Sequence, residues 1–441
     1  MAESQTRRQF LKTSGAAVGG AVAISSFSTS SAYAQGSDTI RVALVGCGGR
    51  GTGAVSQIFR TQGNTQLVAV ADALENKANG AVNTLRNAAA NKVAVTPETT
   101  FVGMDAYKKA IDTDCDLVVI ATPPGFKPPQ FEYAVEKGKH IFMEKPVASD
   151  APGVRRCLAA VVESKKKNLF VAIGLQRRHE EMYIKTVDML QNGAIGDIDV
   201  LRVYWNGGGI WYRKRQPWMT DMQDQCNNWF HTIWTCGDQI CEQHIHNIDV
   251  GCWVKGDYPI EANGMGGWGR RLNGDGKESQ IYDHTFVEYT FADGSKMYSQ
   301  GRHLQNSFRH VGEYAHGSKG QASISGGVIL DRSGNRTRVE GKRGGHLQEQ
   351  HDLIEAMMRG EVYNEGEYGC KSTFAAILGR EACYSGNVIK WNDLLERGKD
   401  YCPGIDDYTI NSLPPARRDE NGAFDIPKPG IYDPFAPLQL D

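Results

Sequence analysis

Short apolar runs alternate with helically spaced segments along the chain from residue 41 onward. The apolar runs are 41–45 (RVALV), 66–71 (QLVAVA), 116–122 (DLVVIAT) and 140–143 (HIFM). Segments with a period near 3.6 residues lie between them, at 54–59, 76–90 and 131–138. Continuous apolar runs of this length are typical of strands that are covered on both faces. Their alternation with helices predicts a parallel α/β sheet.

A glycine-rich turn, Gly46-Cys47-Gly48-Gly49-Arg50-Gly51, directly follows the first strand. In a G-x-G-x-x-G turn, the first glycine permits the tight turn and the second lets a diphosphate approach the backbone. The third glycine brings the helix against the strand, so that the diphosphate lies at the helix N-terminus. Asp72 ends the second strand, about 20 residues further on, where a carboxylate accepts both hydroxyls of an adenosine ribose. We therefore predict a dinucleotide site formed by Gly46, Gly48, Arg50, Gly51 and Asp72.

The N-terminus has the features of an export signal rather than of folded protein. Residues 6–12 (TRRQFLK) resemble a twin-arginine signal, and a small-residue run at 16–24 precedes an A-x-A cleavage site at 32–34. We expect residues 1–34 to be a signal peptide and the protein to be periplasmic or secreted. The run at 16–24 is too short to cross a bilayer, so we expect no membrane span in the mature protein.

Composition narrows the class of partner. The 441 residues carry a net charge of −2, which gives no indication of a nucleic-acid partner. Ten cysteines in an exported chain would ordinarily suggest disulfides. Twin-arginine export carries proteins that fold before they leave a reducing compartment, so we expect buried free thiols instead.

Four segments, in this order and spacing, resemble the Gfo/Idh/MocA family of nicotinamide-dependent oxidoreductases of sugars and cyclitols. They are the glycine turn, 70–73 (VADA), 121–124 (ATPP) and 138–148 (GKHIFMEKPVA). The resemblance implies a Rossmann domain at 38–168, then an α+β domain at 169–395 with a large, mostly antiparallel open sheet. It also implies a homo-oligomer, a dimer or a tetramer. The polar, proline-bearing residues 396–441 predict an extended C-terminal arm.

The resemblance also implies contacts with the cofactor, which we expect to be NAD. Asp72 would repel the 2′-phosphate of NADP, and Arg50 is the residue that would accommodate it. Further cofactor contacts fall on Thr122, Pro123, Glu144 and Lys145. One departure follows the Thr-Pro-Pro turn: many members carry a histidine there, and this chain has 125–128 (GFKP).

The segment 237–255 predicts a helix with a chemically active face. Glu242, His246 and Asp249 follow i, i+4, i+7 spacing, and Cys241, Ile245, Ile248 and Cys252 form a separate apolar stripe. The polar positions match the family signature D-x-x-x-H-x-x-D, with glutamate in place of the first aspartate. His246 is then the general base, Glu242 orients its ring, and Asp249 supports the helix or a substrate hydroxyl.

Two alternatives remain for this segment, a solvated polar face and a zinc site. The cysteine and histidine spacing is not that of a structural zinc site, so we predict no metal. Lys145 is the candidate donor to the substrate oxygen that becomes a carbonyl.

Aromatic residues indicate a carbohydrate substrate. Seven of the eight tryptophans lie between 205 and 268, and the loop 207–218 places Trp211, Tyr212 and Arg213 among glycines. Flat aromatic faces beside hydrogen-bonding groups suit a sugar ring. Trp205 and Trp253 are expected in the core of the sheet. Arg177 is a further candidate for the cleft wall, with a domain-interface ion pair as the alternative.

These features predict an exported oxidoreductase that interconverts a secondary alcohol and a ketone on a sugar, glycoside or cyclitol with a tightly held cofactor. A redox-neutral glycoside hydrolase or lyase, acting through a transient keto-sugar, is the second hypothesis. A non-catalytic periplasmic sugar-binding protein is the third.

Overall fold

The first sheet contains six parallel strands. The computed structural model describes residues 39–269 and 279–438. Across the sheet the strands are β3 (Thr100–Val102), β2 (Thr65–Asp72), β1 (Ile40–Val45), β4 (Leu117–Ile120), β5 (His140–Met143) and β6 (Val171–Ile173). Because β1 pairs with both β2 and β4, the strand order reverses beside β1. The carboxyl ends of the strands at such a reversal form the ligand crevice of a doubly wound fold.

Helices cover this sheet, as the continuously apolar strands require. They are α1 (Gly49–Ile58), α2 (Glu75–Ala88), α3 (Ala106–Ile111), α4 (Lys127–Glu136) and α5 (Ala151–Lys166). All four residues of β4 are fully buried. The carboxylate of Asp150 caps α5 by accepting a hydrogen bond of 2.8 Å from the Gly153 amide.

The parallel sheet extends beyond the predicted domain boundary at residue 168. β6 pairs with β5 in parallel. The Ile141 amide donates to the carbonyl of Phe170, and the Gly174 amide donates to the carbonyl of Met143. The second domain therefore starts after this strand in the structure.

Among the described residues the second sheet has nine strands, and helices pack against it. In spatial order they are β14 (Arg336–Arg338), β13 (Val328–Asp331), β12 (Gly320–Ser323), β11 (His310–Gly317), β7 (Ile198–Gly207), β10 (Lys296–His303), β9 (His284–Thr290), β8 (Glu261–Gly267) and β15 (Ile389–Lys390). β7 and β10 pair in parallel, and every other pair is antiparallel. The predicted fold class, a Rossmann domain followed by an α+β domain with a mostly antiparallel sheet, is confirmed.

Helices occupy much of the chain between β7 and β8. They are α7 (Asp221–Asn227), α8 (Ile233–Cys236), α9 (Gln239–Glu242) and α10 (Ile245–Lys255). The remaining helices are α6 (Glu181–Gln191), α11 (Gly345–Arg359), α12 (Gly366–Ser385) and α13 (Trp391–Arg397). α12 is buried along nearly its whole length and packs against α5, α10 and the second sheet.

Residues 398–438 are largely irregular and lie on the body of the protein. The Tyr401 amide donates to Asp150, the Gln225 side chain to the carbonyl of Ala416, and the Tyr282 hydroxyl to the carbonyl of Pro427. The predicted signal peptide lies outside the described residues. Among those described, no helix combines the length and apolar character that crossing a membrane requires. All ten cysteines are free thiols.

Candidate active site

The glycine turn forms a cradle at the carboxyl end of β1. Gly46 has a φ of +94°, and a Cβ there would lie 2.6 Å from the carbonyl carbon of Ala121. A Cβ on Gly51 would lie 2.1 Å from the carbonyl oxygen of Gly46, which is why α1 can approach β1 so closely. Gly48 instead borders open space, since a Cβ added there would meet no atom within 4 Å. The turn is therefore shaped for a diphosphate at the start of α1.

Asp72 lies beside this cradle at the end of β2. Its carboxylate accepts hydrogen bonds from the amides of Cys47 (2.7 Å) and Leu74 (2.9 Å). Burial raises the pKa of Asp72 above its ordinary value, and these two amides oppose the shift. The carboxylate is thus held where it would contact the ribose of a bound dinucleotide.

The guanidinium of Arg50 contacts side chains other than Asp72. Its Nε donates to the carboxylate of Glu144, and its guanidinium also contacts Gln57 at 2.9 Å and Glu349 at 3.5 Å. The guanidinium is thus directed to the turn after β5 rather than paired with Asp72, so the structure offers no support for a role in accommodating a 2′-phosphate.

A cavity of about 700 Å³ connects the cradle with the second domain. Most of the predicted site residues line it, namely Gly46, Gly48, Arg50, Asp72, Thr122, Pro123, Glu144, Lys145, Arg177, Trp211, Arg213, Glu242 and His246. Three predicted residues, Gly51, Tyr212 and Asp249, do not line it.

Lys145 and Glu242 meet in this cavity from opposite domains. The Lys145 ammonium donates to Glu242 Oε1 at 3.1 Å and also to the backbone carbonyl of Glu242. Both side chains are about one-tenth exposed. Burial raises the pKa of Glu242, and the ammonium groups of Lys145 and Lys127 oppose that shift. Glu242 therefore holds Lys145, whereas the sequence pattern assigns it to the imidazole of His246.

His246 lies in the same wall, with its ring centroid 6.0 Å from that of Trp205. Its Nδ1 is buried and has no hydrogen-bond partner among the described residues. Burial, with the nearby cations of Lys145 and Arg177, lowers the pKa of His246 well below its usual range. The imidazole is consequently neutral near pH 7 and able to accept a proton.

The predicted single helix over 237–255 is two helices, α9 and α10. Asp238 has a φ of +79° and caps α9 with its own side chain. After α9 the hydrogen bonding shifts by one residue, since the His244 amide bonds to the carbonyl of Gln239 rather than to that of Ile240. Glu242 and His246 still face the cavity after this break.

Asp249 is part of a buried ion pair behind the cavity. Its carboxylate accepts from the guanidinium of Arg178, with a closest distance of 2.7 Å, and from the Ser372 hydroxyl at 2.7 Å. Arg178 also stacks on Tyr368, 4.0 Å from the ring centroid. This pair fixes α10 against α12 and the segment after β6, which agrees with the structural alternative for Asp249.

Aromatic side chains form the outer part of the cavity. Trp211 is 40% exposed, with the guanidinium of Arg213 4.0 Å from its ring centroid and Trp229 at 6.1 Å. Trp205 also lines the cavity, which corrects its assignment to the sheet core. Tyr212 instead packs its ring against His231, at 5.4 Å.

Arg177 reaches the cavity from the segment after β6. Its guanidinium pairs with Glu313, a fully buried carboxylate that also accepts from Asn247 at 2.7 Å and Tyr183 at 3.1 Å. Arg177 therefore combines both sequence alternatives, a cleft wall and an ion pair.

Several polar residues of the cavity region were not predicted from the sequence, among them Lys127, His346 and Glu349. Lys127 and His346 line the cavity, and Glu349 is fully buried 3.5 Å from His346. Burial raises the pKa of Glu349 to about 7. Lys127 lies in the segment 125–128, where many family members carry a histidine, and that difference was a signal for it. No sequence motif includes His346 or Glu349.

The fold and the cavity define the class of protein: a Rossmann domain whose dinucleotide cradle opens into a cleft completed by an α+β domain. Residues 40–173 match the model of the GFO_IDH_MocA family, an oxidoreductase family with an NAD-binding Rossmann fold. These residues are less than a third of the chain, and over them it resembles the NAD-binding Rossmann domain of that family, in agreement with the predicted fold and cofactor.

Individual proteins and solved structures also resemble this chain. Inositol 2-dehydrogenase of Rhizobium meliloti is 30% identical over 224 residues, which cover 51% of this chain and 57% of that protein. Glycosyl hydrolase family 109 protein 4 of Phocaeicola vulgatus is 31% identical over 186 residues, 39% of this chain and 34% of that protein. The matched residues thus span little more than half of the first relative and about a third of the second.

Among solved structures, scyllo-inositol dehydrogenase from Lactobacillus casei with bound NAD(H) and scyllo-inositol has a TM-score of 0.61 at 20% identity. The match covers 80% of this chain and all of that one. At this level of identity the likeness shows the fold.

Proposed function

We propose that this protein is an NAD-dependent oxidoreductase that interconverts a secondary alcohol and a ketone on a sugar, glycoside or cyclitol. One observation carries the proposal. Lys145, Glu242 and His246 line the same cavity as the glycine cradle and Asp72, so a dinucleotide bound there would extend toward a proton-transfer group.

When bound, the nicotinamide accepts or supplies the hydride. The neutral imidazole of His246 removes the hydroxyl proton of the substrate. The Lys145 ammonium donates a hydrogen bond to the same oxygen, and Glu242 keeps that ammonium in place. The exposed face of Trp211 stacks against the apolar C–H patches of a sugar ring.

The relative named inositol 2-dehydrogenase supports a polyol substrate. The cavity of about 700 Å³ is lined by residues of both domains, and we propose that the cofactor stays bound there between turnovers. The twin-arginine-like N-terminus supports export to the periplasm or outside the cell.

The test uses purified protein, whose released dinucleotide is first identified by mass spectrometry. A panel of inositols, aldoses and methyl glycosides is then added while the absorbance of reduced nicotinamide is followed. We expect reduction with at least one polyol, and its loss in Lys145→Met. The matched control is Lys109→Met, a lysine that is more than half exposed on α3. Binding of a sugar with no absorbance change would favour the sugar-binding hypothesis.

A second function, redox-neutral glycoside cleavage, is favoured by a specific observation. Several relatives are named glycosyl hydrolase family 109 proteins, including those of Phocaeicola vulgatus and Shewanella baltica. Transient oxidation beside the glycosidic carbon would acidify the neighbouring C–H bond and allow elimination. An aryl glycoside incubated without an added acceptor separates the two functions. Released phenol with no net reduced cofactor indicates cleavage, and a keto-sugar with reduced cofactor indicates dehydrogenation.

A further inference from the structure

Lys127 is a fully buried lysine beside the candidate catalytic residues. It is the first residue of α4, and its exposed fraction is 1%. Its ammonium donates to three consecutive backbone carbonyls, those of Glu144 (2.7 Å), Lys145 (3.3 Å) and Pro146 (2.9 Å). A buried cation is costly unless it is hydrogen-bonded, and here the carbonyls of a single turn provide those bonds.

The chemistry of the ammonium limits what Lys127 does. An ammonium group has three N–H donors and no acceptor, and all three are engaged by the turn. Although Lys127 borders the cavity, it therefore has no free donor for a substrate oxygen. Its contribution is to the backbone that carries Glu144 and Lys145.

The two side chains of this turn point to different parts of the site. Glu144 accepts from Arg50 at the start of α1, and Lys145 donates to Glu242 at the end of α9. A change in the carbonyl orientation of the turn would displace both contacts together. We infer that Lys127 is a positioning residue: by anchoring the three carbonyls, it sets Lys145 against Glu242 and Glu144 against Arg50.

Charge around Lys127 agrees with this role. Burial is the strongest influence on the ammonium of Lys127 and disfavours its charged form, as does the nearby Lys145. The carboxylates of Glu242 and Glu144 face it and favour the charged form, and the Cys157 thiol is also nearby. Together they lower the pKa of Lys127 to about 8. Loss of the proton would leave two donors for three carbonyls, so the turn should loosen as the pH rises through about 8.

The test compares Lys127→Met and Lys127→Arg with Lys139→Met as the matched control. The ammonium of Lys139 also donates to backbone carbonyls, those of Thr113 (3.2 Å) and Cys115 (2.8 Å), but it does not line the cavity. A lysine with a purely structural role is thus already present in the same domain.

We expect Lys127→Met to lower kcat by about 100-fold with little change in the KM for the polyol, because misplacement of a catalytic group by about 1 Å costs that much. Lys127→Arg should retain activity and lose the fall in kcat above about pH 8, since a guanidinium stays charged. Lys139→Met should keep the wild-type kcat and pH profile. An unchanged kcat in Lys127→Met, or an unchanged alkaline fall in Lys127→Arg, would overturn the inference.

A binding measurement makes the test independent of turnover, since the inference about catalysis rests on the proposed function. NADH fluorescence titration should show binding by Lys127→Met weakened by about tenfold, because Glu144 and Arg50 border the cradle. Lys127→Gln, which retains two donors, serves the same purpose if the methionine variant does not fold. A wild type that binds NADH but oxidises no polyol contradicts the proposed function alone. Variants that bind NADH as the wild type does contradict the positioning role alone.

Discussion

The neutral state of His246 follows from its surroundings rather than from its sequence motif. An imidazole has an ordinary pKa near 6.5 and would be partly protonated in a mildly acidic medium. Burial and the cations of Lys145 and Arg177 disfavour the imidazolium, so the pKa of His246 is lowered. The base needed for alcohol oxidation is then available below neutral pH.

His246→Gln should reduce kcat by about 10²–10⁴-fold with a smaller change in KM, because the loss falls on proton transfer. In the wild type, kcat should not fall through the ordinary histidine pKa as the pH drops, since a lowered pKa keeps the ring neutral there. Both are measured by steady-state kinetics between about pH 5.5 and 7.5. His316→Gln, on the second sheet and outside the cavity, is the control. A fall in wild-type kcat centred on about pH 6.5 would contradict the argument.

Asp72 makes a second prediction at the scale of a single residue. Asp72→Ala removes the carboxylate that would hold the ribose hydroxyls and repel a 2′-phosphate. Affinity for NAD should fall by at least about tenfold, and affinity for NADP should fall less or rise. Parallel titrations with NADH and NADPH measure both values. An unchanged ratio of the two affinities would mean that Asp72 does not contact the ribose.

At the scale of the element, the strand, glycine turn and helix at 40–58 show how two glycines of one motif differ in function. Gly51 lies against the carbonyl of Gly46, whereas Gly48 borders the cavity. The first allows α1 to pack on β1, and the second leaves room for a ligand.

Gly51→Ala should lower the free energy of unfolding by about 1–3 kcal/mol, because its Cβ would overlap backbone that cannot move freely. Gly48→Ala should leave that free energy nearly unchanged and weaken NADH binding by at least about tenfold. Urea denaturation and fluorescence titration of both variants separate the two effects. Equal losses of stability would show that the two glycines do not differ in this way.

At α9 and α10, helical periodicity predicts only part of the observed arrangement of side chains. Spacing placed Glu242, His246 and Asp249 on one face, but the break after α9 and the packing of α10 direct Asp249 to Arg178. Periodicity describes a regular helix, so it does not anticipate a break or the partners that bury each side.

At the scale of the whole molecule, the C-terminal residues hold α7 in place over the cavity. The guanidinium of Arg418 donates to the fully buried carboxylate of Asp224 at 2.9 Å, and Thr220 and Gln225 bond to the backbone of Ile410 and Ala416. Cys226 and Asn227, at the end of α7, line the cavity. The chain after 398 thus supports one wall of the site from outside.

Arg418→Ala should destabilise the protein by about 3 kcal/mol, because it leaves the buried Asp224 without its cation. It should also speed the release of bound dinucleotide, as α7 becomes less firmly held. Thermal unfolding and the rate of NADH loss into a trap measure these effects. Arg359→Ala, which removes an exposed pair on α11, should cost less than about 1 kcal/mol. Equal effects of the two variants would contradict a specific role for the C-terminal residues.

The sequence alone determined the parts that depend on short-range order. Strand, glycine turn, helix and acid at 40–72 obey local spacing rules, and Lys145 and His246 stand in recognisable motifs. Tertiary structure decided which side chains meet. The Lys145–Glu242 contact joins residues 97 positions apart in different domains. The burial of Lys127, the contact of Arg50 with Glu144 and the pairing of Asp249 with Arg178 likewise depend on how segments distant in sequence pack within each domain. Local patterns cannot encode these contacts, because their energies depend on a shared low-dielectric environment that exists only once the chain is folded.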